Sequence, residues 1–464
     1  MMQFKLSEVA LWTHGRLQGA DVAVNGVATD SRVPMNGALF VAIKGENFDA
    51  HDFVGAAKAA GAVAALVARP VEVDIPQVIV SDTLLALGDL ASAARAQRRV
   101  RVVGITGSNG KTTVKTLLAS ILSLHGKTHV NAGNFNNEIG LPISMLALPE
   151  DAEFAVLEMG AGKPGDIAYL AAIARPEIGL VNNIAAAHLE RMGTLEGIAE
   201  TKGALYAALP AHGTAVINAD EPFANLFANT SRAQQTVRYG LDRSDVDVSG
   251  EVRSTGTTVQ FLLRVGAERV DVDLPLPGRH NVANALAAAA IAHALGIPLT
   301  TIKRGLEGAS AVKGRLVRHA MPGGWTLIDD SYNANPGSTA AAIETLAELA
   351  QKEARGEGWL VLGDMRELGK DAALLHAQSG AFAKQRGISR LFAVGELSQA
   401  SAQAFGEGAQ HFSDQQSLIA ELAAQVHSGV SVLVKGSRGS AMDRVVKALL
   451  DGAGSNGGGE RHAA

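Results

Sequence analysis

The sequence predicts an α/β protein of three domains, in which mostly parallel strands alternate with helices. The chain has 464 residues, which is too many for one ordinary hydrophobic core, because domains usually hold about 100 to 200 residues. Hydrophobic residues make up 47% and charged residues 19%, a composition typical of buried parallel strands between alanine-rich helices. We expect domains at residues 1–98, 99–312 and 313–452, and a disordered tail at 453–464.

Composition and charge exclude several kinds of partner and chemistry. The formal net charge is -5, with acidic and basic residues interspersed, so nucleic acid is not an expected partner. The chain has no cysteine, which excludes disulfides, thiolate metal sites and thiol nucleophiles. No uncharged apolar stretch is long enough to span a bilayer, and the N-terminus lacks the apolar core of a signal peptide. We therefore expect a cytoplasmic monomer without a membrane span.

The N-terminal domain is predicted to be a small α/β unit. Apolar runs at 38–43 and 77–80 predict strands, and the pattern at 54–60 between them predicts a helix. The arginine-rich stretch at 95–101 marks the end of this domain, because a buried strand and a glycine loop follow it directly.

The central domain is predicted to be a mostly parallel sheet of the P-loop type. Its first strand, at 100–103, leads into the loop GITGSNGKTT at 104–113. Further buried strands are predicted at 154–157, 178–181 and 214–217. After Gly240, two short alternating runs predict antiparallel strands before a helix at Asn281; these runs are 257–264 and 269–274.

The glycine loop has the composition of a nucleotide triphosphate site. Its glycines let backbone amides turn toward an anion, and the following helix adds its N-terminal N–H groups and the positive end of its dipole. Lys111 would supply positive charge to the outer phosphates, and the Thr112 hydroxyl would bind Mg²⁺. The spacing is G-x-x-G-x-x-G-K-T-T, with Ile105 where the strict Walker pattern has glycine, and the alternative is a plain glycine turn. The predicted nucleotide-binding residues of the loop are Gly107, Ser108, Asn109, Gly110, Lys111, Thr112 and Thr113.

Two residues at predicted strand ends are candidates for the same nucleotide site. Glu158 follows the strand at 154–157, and His188 lies shortly after the strand at 178–181. Both therefore lie at the edge where open α/β sheets bind ligands. A carboxylate and an imidazole beside phosphate can complete a Mg²⁺ shell, but imidazole is an uncommon ligand for so hard an ion, and a hydrogen-bonded structural histidine is the alternative.

Two asparagines in GRHNVANAL are candidates for binding the base of the nucleotide. Asn281 and Asn284 lie one helical turn apart and can present their amides on one face. Such amides suit an adenine edge. The alternative is a helix N-cap at Asn281 and a solvent-facing Asn284.

The C-terminal domain is predicted to be Rossmann-like. Four apolar runs, each separated from the next by a helical stretch, predict its strands, which are 325–328, 360–362, 391–394 and 432–434. This alternation is typical of a parallel sheet covered by helices.

The motifs, taken in chain order, are similar to those of the Mur ligases of peptidoglycan synthesis. They cover nearly the whole chain and read TDSR, LFVAIKGENFDAH, TGSNGKTT, GNFNNEIGLP, LEMGAG, NNIAAAHLERMG, GRHNVANAL, DDSYNANP, LGDMRELG and VKGSRG. GNFNNEIGLP and DDSYNANP resemble the branch of the family that adds a dipeptide, and a DNPR-type amino-acid clamp is absent from the sequence.

The resemblance implies an ATP-dependent ligase that adds D-alanyl-D-alanine to UDP-N-acetylmuramoyl-tripeptide through an acyl phosphate. It implies two Mg²⁺ ions, one held by Thr112 and Glu158 and a second held by His188. It also implies that Arg315 and Asp330 reach the nucleotide from the third domain, which makes domain closure a requirement of catalysis.

The resemblance implies a modified lysine as well. Lys202, in ETKGALYAAL, aligns with the lysine that the family carbamylates with CO₂, and a carbamate is an anionic oxygen donor for Mg²⁺. Its formation needs an unprotonated amine, so we expect burial and neighbouring cations to lower the pKa of Lys202. The alternative is an ordinary lysine on a helix surface. The catalytic residues implied are Lys111, His188 and Lys202.

The substrates would be held by residues from all three domains. Polar and charged side chains of the N-terminal domain would bind the uridine nucleotide, or else are ordinary surface residues, and they are Ser31, Arg32, Lys44, Glu46, Asp49 and His51. The asparagines of GNFNN would also contact substrate, and they are Asn134, Asn136 and Asn137. By their position, the residues that would hold the dipeptide are Asn333, Asn335 and Arg438.

Two other functions remain open from the sequence alone. One is another amide ligase of this superfamily with a different amino donor. The other is a noncatalytic ATP-binding protein on the same fold, because a fold by itself does not determine a function.

Overall fold

The computed structural model describes residues 3–186, 189–352 and 356–456 as three α/β domains, each built on its own sheet. The fold class predicted from the sequence is thereby confirmed. The predicted domain boundaries near 98 and 312 fall between the sheets, and His188 lies outside the described residues.

The N-terminal domain is a small sheet with helices around it. Its strands are β1 (Gln3–Lys5), β2 (Arg16–Gln18), β3 (Ala23–Asn25), β4 (Val27–Ala28), β5 (Leu39–Val41), β6 (Ala64–Val67) and β7 (Gln77–Ile79). Its helices are α1 (Leu6–Trp12), α2 (Val54–Ala59) and α3 (Thr83–Ala96), with a 3-10 turn at Ala50–Phe53. The sheet order is β2-β7-β6-β5-β4, parallel except for β2, and β1 pairs with β3. The two predicted strands and the predicted helix are confirmed as β5, β7 and α2.

The central domain is a nine-stranded sheet with helices on its faces. Its strands are β8 (Arg101–Thr106), β9 (Thr128–Val130), β10 (Phe154–Glu158), β11 (Ile178–Val181), β12 (Thr214–Asn218), β13 (Gln235–Leu241), β14 (Val248–Ser254), β15 (Val259–Val265) and β16 (Glu268–Leu274). Its helices are α4 (Lys111–Leu122), α5 (Gly140–Leu146), α6 (Asp166–Ala174), α7 (Leu189–Met192), α8 (Leu195–Ala207), α9 (Ala224–Thr230), α10 (Arg279–Ala294) and α11 (Leu299–Glu307).

The order of the central strands determines where a ligand can bind. The sheet runs β16-β15-β14-β13-β12-β11-β8-β10-β9 and is parallel from β9 to β14. Strand β15 is antiparallel to both of its neighbours, β14 and β16, which confirms the antiparallel section predicted after Gly240. Strand β8 lies between β10 and β11, so the strands that follow it in sequence are placed on both of its sides. Open α/β sheets bind ligands in the crevice at the carboxyl end of such a strand.

Close packing around α4 fixes the helix that follows the glycine loop. Helix α10 is buried on nearly every side and packs against α4 and the sheet; half of its residues are alanine, whose small side chain permits this close approach. Helix α11 crosses α4 on another side. A Cβ at Gly305 would lie 2.4 Å from Cα of Ile121, so this crossing requires glycine. The start of α4 is therefore held in place by the core.

The C-terminal domain is a six-stranded sheet with alternating helices. Its strands are β17 (Val317–Met321), β18 (Trp325–Asp330), β19 (Glu357–Gly363), β20 (Arg390–Val394), β21 (Ala409–Phe412) and β22 (Val430–Lys435). Its helices are α12 (Pro336–Ala350), α13 (Ala372–Gln385), α14 (Gln399–Phe405), α15 (Gln415–Gln425) and α16 (Asp443–Asn456), with 3-10 turns at Gly369–Asp371 and Arg438–Ser440. The order is β17-β18-β22-β19-β20-β21, and all neighbours except β17 and β18 are parallel. The four predicted strands are confirmed as β18, β19, β20 and β22.

The predicted disordered tail, 453–464, lies only partly within the described residues. Helix α16 continues to Asn456, four residues into that tail, and disorder of the rest stays a prediction. Val445 and Leu449 anchor this helix in the core, and adding a residue to an established helix is far easier than starting one. None of the helices within the described ranges is long and apolar enough to cross a membrane.

Candidate active site

The glycine loop between β8 and α4 has a backbone that only glycine adopts without strain at two positions. Gly107 has a φ of 145° and Gly110 a φ of 78°. A Cβ at Gly110 would also lie 2.3 Å from Oδ1 of Asn284 and 2.5 Å from Nδ2 of Asn182. The loop therefore passes directly over the side chains of two neighbouring elements.

The loop after β11 holds the glycine loop in this shape. The backbone N–H groups of Ser108 and Asn109 donate to the carbonyl and the side-chain oxygen of Asn183, each at 2.8 Å. The Ser108 hydroxyl accepts from the Ala185 N–H at 2.9 Å. Two loop amides are thus used within the protein. The N–H groups that would meet a phosphate are those of the first turn of α4, which have no partner inside the helix.

Lys111, the first residue of α4, lies inside the loop. Its ammonium donates to the Gly107 carbonyl at 2.7 Å. Burial lowers the pKa of Lys111, and the nearby Glu158 carboxylate opposes that effect. The side chain is therefore held where it can contact an anion bound by the loop.

The Glu158 carboxylate interacts electrostatically with this lysine. It accepts from the Thr112 hydroxyl at 2.8 Å and from the Asn136 amide at 2.8 Å. Burial raises its pKa, but the cations Lys111 and Lys115 and these hydrogen bonds outweigh burial, so the pKa of Glu158 is lowered. An ionised carboxylate beside a hydroxyl is a pair of hard oxygen donors, which is the ligand type that Mg²⁺ prefers.

Lys202 lies in α8 with 2% of its surface exposed, so the alternative of a surface lysine was wrong. Burial, and to a smaller extent the Lys111 cation, lowers the pKa of Lys202 to about 7. The lowered pKa and the burial expected for this residue are both confirmed. Half of such amines are unprotonated near neutral pH.

The two predicted base-binding asparagines, Asn281 and Asn284, belong to a chain of buried amides beside the glycine loop. Asn182 donates to Asn284 Oδ1 at 2.9 Å, and Asn284 donates to Asn281 Oδ1 at 3.1 Å. Asn182 also donates to the Asn109 carbonyl at 3.0 Å. Asn281 and Asn284 are both buried, and the N-cap of α10 is Gly278, so the alternative of a capping Asn281 and an exposed Asn284 was wrong. Contact with adenine stays a prediction.

Residues of the C-terminal domain contact the glycine loop directly. The Arg315 guanidinium donates to the Thr112 hydroxyl at 2.9 Å, and it stacks on the ring of Tyr332 at 4.4 Å. Asn335 caps α12 by accepting from the Ser338 N–H, and its amide donates to Asn109 Oδ1 at 2.7 Å. The structure therefore has the two domains closed over the loop.

A buried ion pair between Lys435 and Asp330 lies in the same domain as these contacts. Asp330, the last residue of β18, accepts from Lys435 at 2.6 Å, and Lys435 also donates to the Asn333 carbonyl at 2.9 Å. Burial, together with the Lys435 cation, lowers the pKa of His280 to about 4, so this histidine is neutral at pH 7. The predicted Asp330 thus reaches the cavity already paired with a cation.

The three domains together enclose a cavity of about 780 Å³, which is within the usual range of ligand sites. The N-terminal domain contributes Glu46, and the C-terminal domain contributes Arg315, Asp330 and Tyr332. Twelve more of the predicted residues in the described ranges line the cavity, namely Ser108, Asn109, Gly110, Lys111, Thr113, Asn136, Asn137, Glu158, Asn281, Asn284, Asn333 and Asn335. The prediction that parts of one site come from all three domains agrees with this arrangement.

Several predicted substrate residues lie outside the lining of this cavity. His51 is buried, and its two ring nitrogens bond to Asp49 at 2.6 Å and to the Ala68 N–H at 2.8 Å. Arg32 is exposed and pairs with Asp30. The lining of the cavity, as far as the described residues form it, also lacks four other predicted residues: Ser31, Lys44, Asn134 and Arg438. Their contact with substrate stays a prediction.

Among the residues of the site that sequence reasoning missed, three are polar or charged side chains in direct contact with predicted ones. Lys435 ends β22, and that position at a strand's carboxyl end was a usable signal. Asn182 directly follows β11 at the same edge. Lys115 lies one helical turn after Lys111 and shares its face of α4.

Comparisons with known proteins agree with this geometry. Three domain models match the chain, namely the Mur ligase family catalytic domain at residues 23–103, the Mur ligase middle domain at 105–292 and the Mur ligase glutamate ligase domain at 314–438. The UDP-N-acetylmuramoyl-tripeptide--D-alanyl-D-alanine ligase of Escherichia coli strain K12 is 45% identical over 454 residues, which cover 97% of this chain and 99% of the relative. This chain belongs to the Mur ligase family.

Solved structures of family members are also similar over the full length. A crystal structure of MurF from Acinetobacter baumannii has a TM-score of 0.91 and 33% identity, and the match covers 97% of this chain and 99% of that one. MurF from Thermotoga maritima, solved in complex with ADP, has a TM-score of 0.83 and 28% identity, covering 93% of this chain and 99% of that one.

Proposed function

We propose that this protein is an ATP-dependent ligase that joins D-alanyl-D-alanine to UDP-N-acetylmuramoyl-tripeptide and releases ADP and phosphate. The observation that carries the proposal is the closure of the C-terminal domain on the glycine loop through Arg315 and Asn335. Similarity over nearly the whole chain to ligases of that name supports the choice of substrates.

The reaction needs ATP because oxide cannot leave from a carboxylate. The terminal carboxylate of the tripeptide attacks the γ-phosphorus of ATP, ADP leaves, and an acyl phosphate forms. The free amine of the dipeptide then attacks the acyl carbon, the amine loses a proton, and phosphate leaves. Both steps bring anions together, and Lys111 and Arg315 are positioned to stabilise the developing negative charge.

We propose that Thr112 and Glu158 would hold one Mg²⁺ ion, and that His188 and a carbamate on Lys202 would hold a second. Bound Mg²⁺ neutralises phosphate charge and is commonly held by one or two carboxylates together with substrate phosphates. The lowered pKa of Glu158 and the Thr112 hydroxyl beside it support the first ion.

The carbamate forms when the free amine of Lys202 attacks CO₂ and loses one proton. The product carries a negative charge where an ammonium would repel Mg²⁺. Burial and a pKa of about 7 support this chemistry, because much of the amine is unprotonated at neutral pH.

We assign the N-terminal domain to binding of the uridine nucleotide, and the cavity-lining residues of the other two domains to binding of the peptides. The cavity is lined by Glu46 from the N-terminal domain, by Asn136 and Asn137 from the central domain and by Asn333 from the C-terminal domain. One chain supplies every part of the cavity, so we propose a monomer. Its consumption of ATP suits the cytoplasm.

The test measures ADP release for a matrix of acceptors and donors. The tripeptide acceptor with D-alanyl-D-alanine should support turnover, and a dipeptide acceptor with free diaminopimelate or lysine should not. The reverse pattern would assign the chain to another amide ligase of the superfamily. ATP binding without turnover in any combination would assign it to the noncatalytic ATP-binding proteins.

A further inference from the structure

Lys115 is a buried cation that the reaction described above does not use. It lies on α4 with 5% of its surface exposed. Its ammonium donates to the Asn131 carbonyl at 2.8 Å and to the Gly133 carbonyl at 3.3 Å, and it lies 3.5 Å from Oε2 of Glu158. A buried ammonium is costly unless its charge and its donors are satisfied, and here three oxygens on two different elements satisfy it.

The partners of Lys115 belong to one connected structure. Asn131 is buried, and its side chain bonds to both the N–H and the carbonyl of Glu158, each at 3.0 Å. The Asn136 amide donates to the Glu158 carboxylate at 2.8 Å, and the Asn136 carbonyl accepts from the Gly160 N–H at 2.8 Å. The loop 131–137 is thus attached to the backbone and to the carboxylate of the same residue.

We propose that Lys115 is a positioning residue that couples the phosphate and magnesium site to the acceptor loop 131–137. The coupling rests on the proposed function, because it takes Glu158 as a magnesium ligand and the loop as part of the acceptor site. Any movement of Glu158 toward a cation changes its contacts with Asn136 and with Lys115, and both changes act on the loop. Lys115 is the member of this network that contacts the loop and the carboxylate through one charged group.

Removal of Lys115 should therefore uncouple the two sites. Lys115→Met leaves two loop carbonyls and one carboxylate without their cationic donor. Lys115→Arg keeps the charge and the donors. The control variant is Lys303→Met. Lys303 is partly exposed and likewise donates to a backbone carbonyl, that of Asp271, and to a carboxylate, that of Glu307 at 2.7 Å, but it does not line the cavity.

The experiment measures the dissociation constant of UDP-N-acetylmuramoyl-tripeptide by calorimetry, with and without saturating Mg²⁺ and a nonhydrolysable ATP analogue. Coupling between sites typically changes affinity by about 5- to 150-fold. The coupling ratio is the dissociation constant of the acceptor without Mg²⁺ and the ATP analogue divided by the constant with them. We expect this ratio to be at least about fivefold in the wild type, in Lys303→Met and in Lys115→Arg, and below about twofold in Lys115→Met. If Lys115→Met does not fold, Lys115→Gln, which removes the charge but keeps an amide donor, should also fall below about twofold.

A purely structural role would weaken acceptor binding equally in both conditions and leave the ratio unchanged. A wild-type ratio in Lys115→Met or Lys115→Gln would overturn the proposal, as would a ratio near one in the wild type. These results are distinct from failure of the proposed function, which would appear as no ADP release from the wild type with the tripeptide and D-alanyl-D-alanine.

Discussion

Replacement of Lys202 by alanine separates a catalytic role of this lysine from a structural one. The change removes the amine on which the carbamate would form, and it leaves α8 intact because alanine has the highest helix propensity. Loss of one group that stabilises charge at the reacting centre typically lowers kcat by about 100- to 1000-fold. We expect a loss of that size in ATP-dependent phosphate release.

The same substitution should change stability little near pH 7. A fall in the pKa of Lys202 from 10.5 to about 7 corresponds to at most about 5 kcal/mol for keeping the ammonium in the fold. Because the folded-state pKa is the lower one, the unfolded chain binds more protons between pH 7 and 10.5, and wild-type stability with an unmodified amine rises with pH across that window. Alanine removes this cost but also loses three buried methylenes, about 2.4 kcal/mol. The two effects oppose each other.

The assay follows phosphate release at pH 8 in wild type and Lys202→Ala, with and without formate or acetate, and thermal melting checks the fold. A short carboxylate can enter the vacated space and replace the carbamate oxygens, so we expect partial recovery of activity. Full activity of Lys202→Ala without any added carboxylate would refute the reasoning. An inactive variant with a melting temperature far below that of the wild type would show that the lysine is needed for folding instead.

Three further substitutions test the rest of the site. Lys111→Ala should abolish ADP formation without unfolding the protein. The control Lys127→Ala, at an exposed lysine, should keep ADP formation. Turnover at the wild-type rate in Lys111→Ala would contradict the assignment of the ATP site. Arg315→Ala should lower kcat by about 100-fold or more, with the exposed Arg253→Ala as control, and an unchanged kcat would show that the contact with Thr112 has no catalytic part. Glu158→Gln should raise the Mg²⁺ concentration for half-maximal rate by at least about tenfold, and an unchanged Mg²⁺ dependence would contradict its role as a ligand.

Local signals in the sequence were sufficient for the glycine loop and for about half of the strands, among them β10, β11 and β22. The loop needs glycine at Gly107 and Gly110 for its backbone angles, and lysine and threonine must follow it directly, so the whole pattern lies within ten residues. Glu158 was found because a charged residue at the end of a buried strand has few structural reasons to be there.

Contacts between distant parts of the chain could not be predicted in the same way. The pairing of Lys435 with Asp330 depends on β22 lying next to β18, which the sequence order does not specify. The amide of Asn182 bonds to Asn284, more than one hundred residues later. The burial of Lys202 was expected only from the resemblance to the Mur ligases, because helix α8 carries no local pattern that distinguishes a buried lysine from an exposed one.

The most direct test of the account follows an oxygen atom through the reaction. UDP-N-acetylmuramoyl-tripeptide is labelled with ¹⁸O in the terminal carboxylate of its peptide and incubated with ATP, Mg²⁺ and D-alanyl-D-alanine, and the released phosphate is analysed by mass spectrometry. Attack of that carboxylate on the γ-phosphorus, followed by loss of phosphate from the acyl phosphate, predicts one ¹⁸O in each phosphate released. Amide product accompanied by phosphate without ¹⁸O would contradict the account.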